Sequence, residues 1–192
     1  MSNYLEVRWH GRGGQGTVTG AKTLAEAILS VGKYIQAFPE YGPERRGAPV
    51  RVFNRFSDKP IRIHTPVKRP HIVLVVDATL LGTVNLTEGI YEDTVFVVNT
   101  VDSPDVVRQK LNLGPANRVF TLPATKISLE EIGRALPNAP IIGGFNRATE
   151  MLPIEDLLKE IRNSFEGKFP EKIIEGNVTA IRRGYEEALS DE

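Results

Sequence analysis

Four glycines between residues 11 and 16 constrain this chain more than any other stretch of it. Residues 5–10, just before them, alternate apolar and polar side chains, which is typical of a β-strand with one apolar face. After Gly16, apolar residues recur at helical spacing, so residues 17–29 are predicted to form an amphipathic helix. Unpaired amides at a glycine loop and a helix N-terminus attract anions. The sequence therefore predicts an anion-binding site whose members are Gly11, Gly13, Gly14, Gln15 and Gly16.

The spacing Gly11-x-Gly13-x-x-Gly16 also matches the fingerprint of dinucleotide-binding folds. A second strand is predicted at residues 34–38, and Glu40 follows it where such folds place an acid that binds ribose hydroxyls. One alternative is therefore a stand-alone dinucleotide-binding oxidoreductase; another is that the glycines serve only a tight turn and close packing. Against the dinucleotide alternative, no second helix follows where that fold requires one, and no residue stands out as an acid or base for hydride transfer.

The rest of the chain predicts an α/β fold of three layers (αβα), with a mixed, mostly parallel, Rossmann-like sheet and a helical C-terminal third. We expect a single domain over residues 1–192. The predicted elements are a hairpin of residues 50–56 and 61–64, strands at 71–76, 94–98 and 118–122, and helices at 104–111, 128–135, 139–151, 154–165 and 170–189. Asp77 and Asn99 follow two of these strands and are expected to share one rim with the glycine loop, most simply as helix caps or turn residues.

Charge and cysteine usage restrict the function further. The 24 basic and 24 acidic residues balance, so nothing points to a nucleic-acid partner, although residues 42–71 carry an excess of Lys and Arg that predicts a basic edge. The chain has no cysteine, so it cannot itself ligate an iron–sulfur cluster through thiolates. Neither a leader-like N-terminus nor an apolar run of membrane-spanning length is present, and we expect a cytoplasmic protein without membrane contact.

Three segments in series resemble a known family, the gamma subunits of 2-oxoacid:ferredoxin oxidoreductases, in particular the pyruvate/ketoisovalerate type. These segments are the loop at residues 10–16, the triplet Gly32-Lys33-Tyr34, and residues 38–51, which read FPEYGPERRGAPVR. The resemblance implies a subunit of an enzyme that decarboxylates a 2-oxoacid on thiamine diphosphate, passes electrons through iron–sulfur clusters to ferredoxin, and transfers the acyl group to coenzyme A. In that family thiamine diphosphate lies between the alpha and beta subunits, and the clusters lie in the beta and ferredoxin-like delta subunits.

For this chain the resemblance implies no catalytic residue of its own. It implies assembly with the alpha, beta and delta subunits, an indirect relation to ferredoxin, and closure over the coenzyme A end of the active site. Arg45 and Arg46, together with the glycine loop, could then bind the phosphates of coenzyme A. Alternatively, the same residues dock a neighbouring subunit. The residues themselves leave both interpretations open.

Overall fold

A mixed sheet of seven strands forms the centre of the computed structural model, which describes residues 4–40 and 47–191. The strands are β1 Leu5–Arg12, β2 Tyr34–Pro39, β3 Pro49–Ser57, β4 Ile72–Val75, β5 Val95–Asn99, β6 Arg118–Leu122 and β7 Leu189–Ser190. The helices are α1 Thr17–Ser30, α2 Pro104–Leu111, α3 Ala124–Ile132, α4 Asn138–Thr149, α5 Ile154–Phe165 and α6 Glu171–Glu186, and a 3₁₀ turn spans Ala78–Leu80. The predicted mixed α/β fold and the helical C-terminal third are confirmed.

The order of strands in the sheet is β2-β3-β1-β4-β5-β6-β7. Strands β1, β4, β5 and β6 run parallel, while β3, β2 and β7 are antiparallel to their neighbours. Strand β3 therefore separates β2 from β1. This order distinguishes the sheet from a regular doubly wound one, in which the second strand lies parallel beside the first.

The predicted hairpin is only half correct. Its first strand is β3, but residues 61–64 form no strand. They lie in a loop that is held to the sheet by side chains: Gln36 Nε2 donates to the carbonyl of Ile63 at 2.9 Å, and Arg55 Nη2 donates to the carbonyl of Thr65 at 2.9 Å. The antiparallel partner of β3 is instead β2, because β2 can bury Ile35 against the core whereas the alternating segment 61–64 has exposed Arg62 and His64.

Each face of the sheet is covered by its own apolar cluster. The larger cluster packs β1, β4 and β6 against α1, α3, α4, α5 and α6, and the smaller one packs β4, β5 and β6 against α2 and the segment around Leu86. Helices α4 and α6 pack closely at Gly143, since a Cβ there would lie only 2.6 Å from the amide nitrogen of Tyr185 on α6. The large helical layer thus fixes one side of the sheet and leaves the carboxyl ends of its parallel strands free to build a site.

Candidate functional site

Helix α1 begins without a cap. Gly16 occupies the N-cap position with a φ of 75°, no side chain of residues 4–40 or 47–191 accepts from the first turn, and the first turn contains no acidic residue. The first amide bonded in the usual helical way belongs to Gly20, which donates to the carbonyl of Gly16 at 2.7 Å. Within the described residues, no acceptor meets the amides of residues 17–19. These donors and the positive end of the helix dipole form a site that favours an anion.

Gln15 braces the glycine loop. Its Oε1 accepts from the amide of Arg12 at 2.8 Å, and its Nε2 donates to Asp77 Oδ2 at 2.6 Å. The amide of Gly13 is also committed, because it donates to the carbonyl of Ala48 at 3.1 Å. Of the residues predicted to bind a ligand, Gln15 and Gly13 therefore hold the loop in shape, and the free donors lie further along, at the helix start.

Arg12 and Asp77 join the loop to the end of β4. The guanidinium Nε of Arg12 lies 3.3 Å from Asp77 Oδ2 and 3.1 Å from Thr79 Oγ1, and its Nη1 donates to the carbonyl of Gly47 at 3.1 Å. Although burial opposes ionisation of Asp77, hydrogen bonds from Thr79 and Gln15 and the charge of Arg12 hold the pKa of this carboxyl below its usual value. The negative charge of Asp77 is thus matched by Arg12 and does not dominate the rim.

The shared rim predicted for Asp77 and Asn99 is present, and both side chains act as caps. Asp77 accepts from the amide of Thr79 at 2.8 Å at the start of the 3₁₀ turn. Asn99 donates to the carbonyl of Val76 at 2.8 Å and accepts from the amide of Thr125 at 3.1 Å, which ties the start of α3 to the end of β4. Arg12 and Thr79 also belong to this rim, although the sequence pattern did not predict their role. The position of Arg12 inside the glycine loop is the one feature of the sequence that indicates it.

The glycines of the loop serve different purposes. A Cβ on Gly11 would lie well under 3.0 Å from Thr17 Oγ1, so this glycine is required for packing between β1 and α1. At Gly16 the positive φ favours glycine, and a Cβ would lie 3.0 Å from the side chain of Asn138. Gly14 has a φ of 96°, and no atom of the described residues lies within 4 Å of a Cβ built on it. The interpretation of tight turn and close packing therefore holds for Gly11 and Gly16, while Gly14 faces outward.

Glu40 does not occupy a ribose-binding position. Its amide donates to the carbonyl of Arg51 at 2.9 Å, and its carboxylate forms an ion pair with the guanidinium of Arg51. Because β3 lies between β1 and β2, the end of β2 is also one strand too far from the glycine loop. The dinucleotide interpretation based on Gly11, Gly13, Gly16 and Glu40 therefore does not fit this fold.

The second face of β1 is buried rather than solvent-exposed, which corrects the expectation of a strand with one apolar face. Arg8 is 2% exposed and His10 is 3% exposed. The guanidinium of Arg8 donates to the carbonyls of Leu86 and Glu88 at 2.9 and 2.8 Å. Burial, and then the charges of Arg8 and Arg51, lower the pKa of His10 to about 3, so this imidazole is neutral at physiological pH.

Two arginines of the basic segment at residues 42–71 are paired with acids, whereas Lys59, Arg62, Lys68 and Arg69 form no ion pair with a described residue. Arg55 is buried and pairs with Glu6 at 2.8 Å, and Arg51 pairs with both Glu40 and Glu88. Arg45 and Arg46 lie outside the described residues. Gly47, the next described residue after them, accepts from Arg12 of the glycine loop.

Two further classes of site were sought among residues 4–40 and 47–191. No group of three or more His, Cys, Asp or Glu side chains there is arranged to hold a metal ion. Across the same residues, every helix is too short or too polar to cross a bilayer.

Comparison with known proteins agrees with the resemblance in the sequence. A family model described as pyruvate ferredoxin/flavodoxin oxidoreductase matches residues 6–187. The chain is 46% identical over 189 residues to the pyruvate synthase subunit PorC of Thermotoga maritima, which covers 98% of this chain and 97% of that protein. It is 44% identical over 182 residues to the pyruvate/ketoisovalerate oxidoreductases common subunit gamma of Pyrococcus abyssi, with 95% of this chain and 96% of the relative covered.

Solved structures share the fold. The crystal structure of pyruvate oxidoreductase subunit PORC from Thermotoga maritima superposes with a TM-score of 0.87 at 43% identity and covers 100% of both chains. A 2-oxoglutarate:ferredoxin oxidoreductase from Magnetococcus marinus, solved with 2-oxoglutarate, coenzyme A and succinyl-CoA bound, has a TM-score of 0.72 at 18% identity over 96% of this chain and 31% of that one. This second likeness shows the fold alone. Because the family model and the relatives span nearly the whole sequence, the chain belongs to the pyruvate ferredoxin/flavodoxin oxidoreductase family, among its gamma subunits.

Proposed function

We propose that this chain works as the gamma subunit of a multisubunit 2-oxoacid:ferredoxin oxidoreductase and that its glycine loop binds the phosphates of coenzyme A. The single observation that carries the proposal is the uncapped start of α1, where the amides of residues 17–19 meet no acceptor among the described residues. The chain contains no cysteine. The lack of cysteine assigns the iron–sulfur clusters to partner subunits, and the family resemblance assigns thiamine diphosphate to partner subunits as well. These partners, of the alpha, beta and delta types, supply the decarboxylation and electron-transfer chemistry.

The chemistry of the rim supports a phosphate ligand. Backbone amides at a helix N-terminus donate to phosphate oxygens, and the helix dipole contributes about half an elementary charge there. Arg12 is partly exposed beside them, and its charge offsets that of Asp77. Gly14 offers a backbone surface without a side chain, so a ligand can approach the loop closely. Arg45 and Arg46 precede Gly47 in the sequence and belong to the proposed site as bidentate phosphate ligands.

A second candidate is favoured by one exposed apolar side chain. Val101, just beyond the end of β5 on the same edge of the sheet, is 87% exposed. A neighbouring subunit would bury this side chain, whereas a phosphate would gain nothing from it. In this alternative the free amides of α1 donate to a carboxylate of a neighbouring subunit, and the loop serves assembly.

Thr19 provides a test, because it is exposed in the first turn of α1 and its side chain forms no hydrogen bond with a described residue. Thr19→Glu places a negative charge at the proposed phosphate site, and Thr19→Gln is the matched neutral control. A carboxylate in the first turn stabilises a helix by about 0.3–1 kcal/mol, so the melting temperature of Thr19→Glu should stay level or rise. Repulsion of a phosphate a few ångströms away should cost about 1 kcal/mol or more, which weakens coenzyme A binding roughly fivefold.

The measurements are calorimetric titration of the purified complex with coenzyme A and size-exclusion chromatography of the assembled subunits. Weaker coenzyme A binding by an intact Thr19→Glu complex, with Thr19→Gln near wild type, supports the proposal. Loss of assembly in Thr19→Glu alone supports the docking alternative. Unchanged affinity and unchanged assembly would show that the helix start binds neither partner.

A further inference from the structure

The two edge strands of the sheet differ in how well they are protected from pairing with another chain. Strand β7 at one end is only two residues long and is followed by Asp191, whose carboxylate accepts from the amide of Val119 at 3.1 Å. Strand β2 at the other end has six residues, and none of them is charged. Natural proteins usually shorten or charge an edge strand, because unpaired backbone groups recruit another strand. Strand β2 is neither short nor charged, and its one protection is Pro39 at the last position, which leaves the groups of the preceding residues unprotected.

The hydrogen-bond register identifies which backbone groups of β2 are unpaired. The amide of Glu40 donates to Arg51 O, and residues 34–39 pair with β3 in the same register. In an antiparallel pair, bonded and non-bonded positions alternate along the strand. Tyr34, Gln36 and Phe38 therefore bond to β3, whereas Ile35, Ala37 and Pro39 direct their backbone groups outward. We call the outward amides and carbonyls of Ile35 and Ala37, with the carbonyl of Pro39, the β2 edge.

The β2 edge has no partner in the described part of the chain. The backbone groups of Ile35, Ala37 and Pro39 take part in no hydrogen bond outside the strand. Pro39 fits this assignment, because proline in a sheet occurs where its missing N–H would face away from the neighbouring strand. The edge thus offers two donors and three acceptors, spaced for an extended chain.

An exposed apolar surface adjoins the β2 edge. Helix α1 packs on β2 and on α5, and Leu29 at its end is 56% exposed. Phe169, which follows α5, is 48% exposed, and its neighbour Lys168 lies 3.8 Å from Glu26 of α1. Tyr34, at the start of β2, is also exposed. Large apolar side chains grouped at one end of a sheet are typical of a protein interface.

We infer that the β2 edge is an interface at which an extended, uncharged segment of another subunit of the oxidoreductase adds as a further strand. Only an extended chain can pair with two amides and three carbonyls at this spacing. The segment from Tyr34 to Pro39 carries no charge, so the edge contains nothing that would hold a charged partner strand. The existence of that partner subunit rests on the proposed function. The location of the interface does not depend on the proposed function, because β2 is separated by β3 from β1 and the glycine loop.

Amide hydrogen exchange on the wild-type chain, free and in the purified complex, tests the inference residue by residue. The amides of Gln36 and Phe38 should be protected in both states, because they bond to β3. The amides of Ile35 and Ala37 should exchange rapidly in the free chain and at least tenfold more slowly in the complex. Equal exchange of Ile35 and Ala37 in both states would overturn the inference. Protection that grows with the concentration of the free chain would also overturn it, because the occupant would then be a second copy.

A pair of variants provides the second measurement. Ala37→Pro removes one outward amide and leaves the bonds to β3 in place, whereas Ala37→Val keeps the amide. Ala37→Pro should reduce the assembled fraction at least tenfold while Ala37→Val assembles as wild type does; normal assembly of Ala37→Pro would contradict the inference.

Coenzyme A binding tests the glycine loop separately. A wild-type chain that co-purifies with no other subunit would contradict the proposed function as well, whereas an intact complex with an unprotected β2 edge would contradict only this inference.

Discussion

Gly11→Ala is the sharpest test of how the glycine loop is built. The added Cβ would lie well under 3.0 Å from Thr17 Oγ1, and 3.3 and 3.4 Å from the Cβ and Cγ2 of the same side chain. Alanine in a strand gains about 0.5–1 kcal/mol over glycine, whereas overpacking of a buried site costs about 1–3 kcal/mol. We expect a net loss of about 1–2 kcal/mol, which for a chain of this length lowers the melting temperature by roughly 2–8 °C.

The clash is with one side chain, so a second substitution should relieve it. The hydroxyl of Thr17 is buried and has no hydrogen-bond partner among the described residues, so Thr17→Ala alone should change stability by less than about 1 kcal/mol. In the Thr17→Ala background, Gly11→Ala should cost about 1–2 kcal/mol less than in the wild type. Urea unfolding of the four proteins in this cycle measures the coupling.

Two results would refute this reasoning. One is a cost of Gly11→Ala that is the same in both backgrounds, within the roughly 0.3–0.5 kcal/mol expected for independent sites. The other is a stable Gly11→Ala chain whose complex no longer binds coenzyme A, which would show that the glycine is needed for approach of the ligand and not for packing against Thr17.

Two further predictions concern burial. His10 has a pKa of about 3 in the folded chain against 6.5 in the unfolded one, so the unfolded state binds the proton first as pH falls. The free energy of unfolding should therefore decline below pH 6.5, by up to about 1.4 kcal/mol per pH unit toward pH 3. In urea unfolding at several pH values, His10→Gln should remove this slope, and substitution of the exposed His64 should not. Gly143→Ala should destabilise by more than about 3 kcal/mol despite the higher helix propensity of alanine, because the new Cβ meets the backbone of α6. Gly114→Ala, where the nearest atom is 3.7 Å away, is the control, and a melting temperature as high for Gly143→Ala as for Gly114→Ala would contradict the account.

Local patterns predicted much of the fold. The alternation before Gly11, the helical period after Gly16 and the apolar runs near residues 72–76 and 95–98 correspond to β1, α1, β4 and β5. These predictions succeed because the period of apolar residues follows directly from which face of an element is buried. The predicted cap at Asp77 succeeds for a similar reason, since its carboxylate accepts from the amide of Thr79 close by in sequence, whereas Asn99 bonds to Val76 and Thr125, which are 23 and 26 residues away.

The failures all involve partners that are distant in sequence. Arg8 and His10 fall on the polar side of the alternation, yet they are buried because the distant segment around Leu86 and Glu88 covers that face of β1 and accepts from the Arg8 guanidinium. The segment at residues 61–64 has strand-like alternation, but β2 pairs with β3 in its place. Glu40 has the sequence spacing of a ribose ligand, but the insertion of β3 moves it away from the loop.

The sequence by itself determined that this chain carries a glycine loop between a strand and a helix, that it lacks cysteine, and that it belongs among gamma-type subunits. Each of these rests on residue type and local spacing, which folding does not change. The tertiary structure decided which glycines serve packing and that Arg12 and Asp77 join the loop to β4. It also decided which amides of α1 and which groups of the β2 edge meet no partner among the described residues. Those properties depend on distances between segments far apart in the chain, and such distances are set by the order of strands and the packing of the sheet.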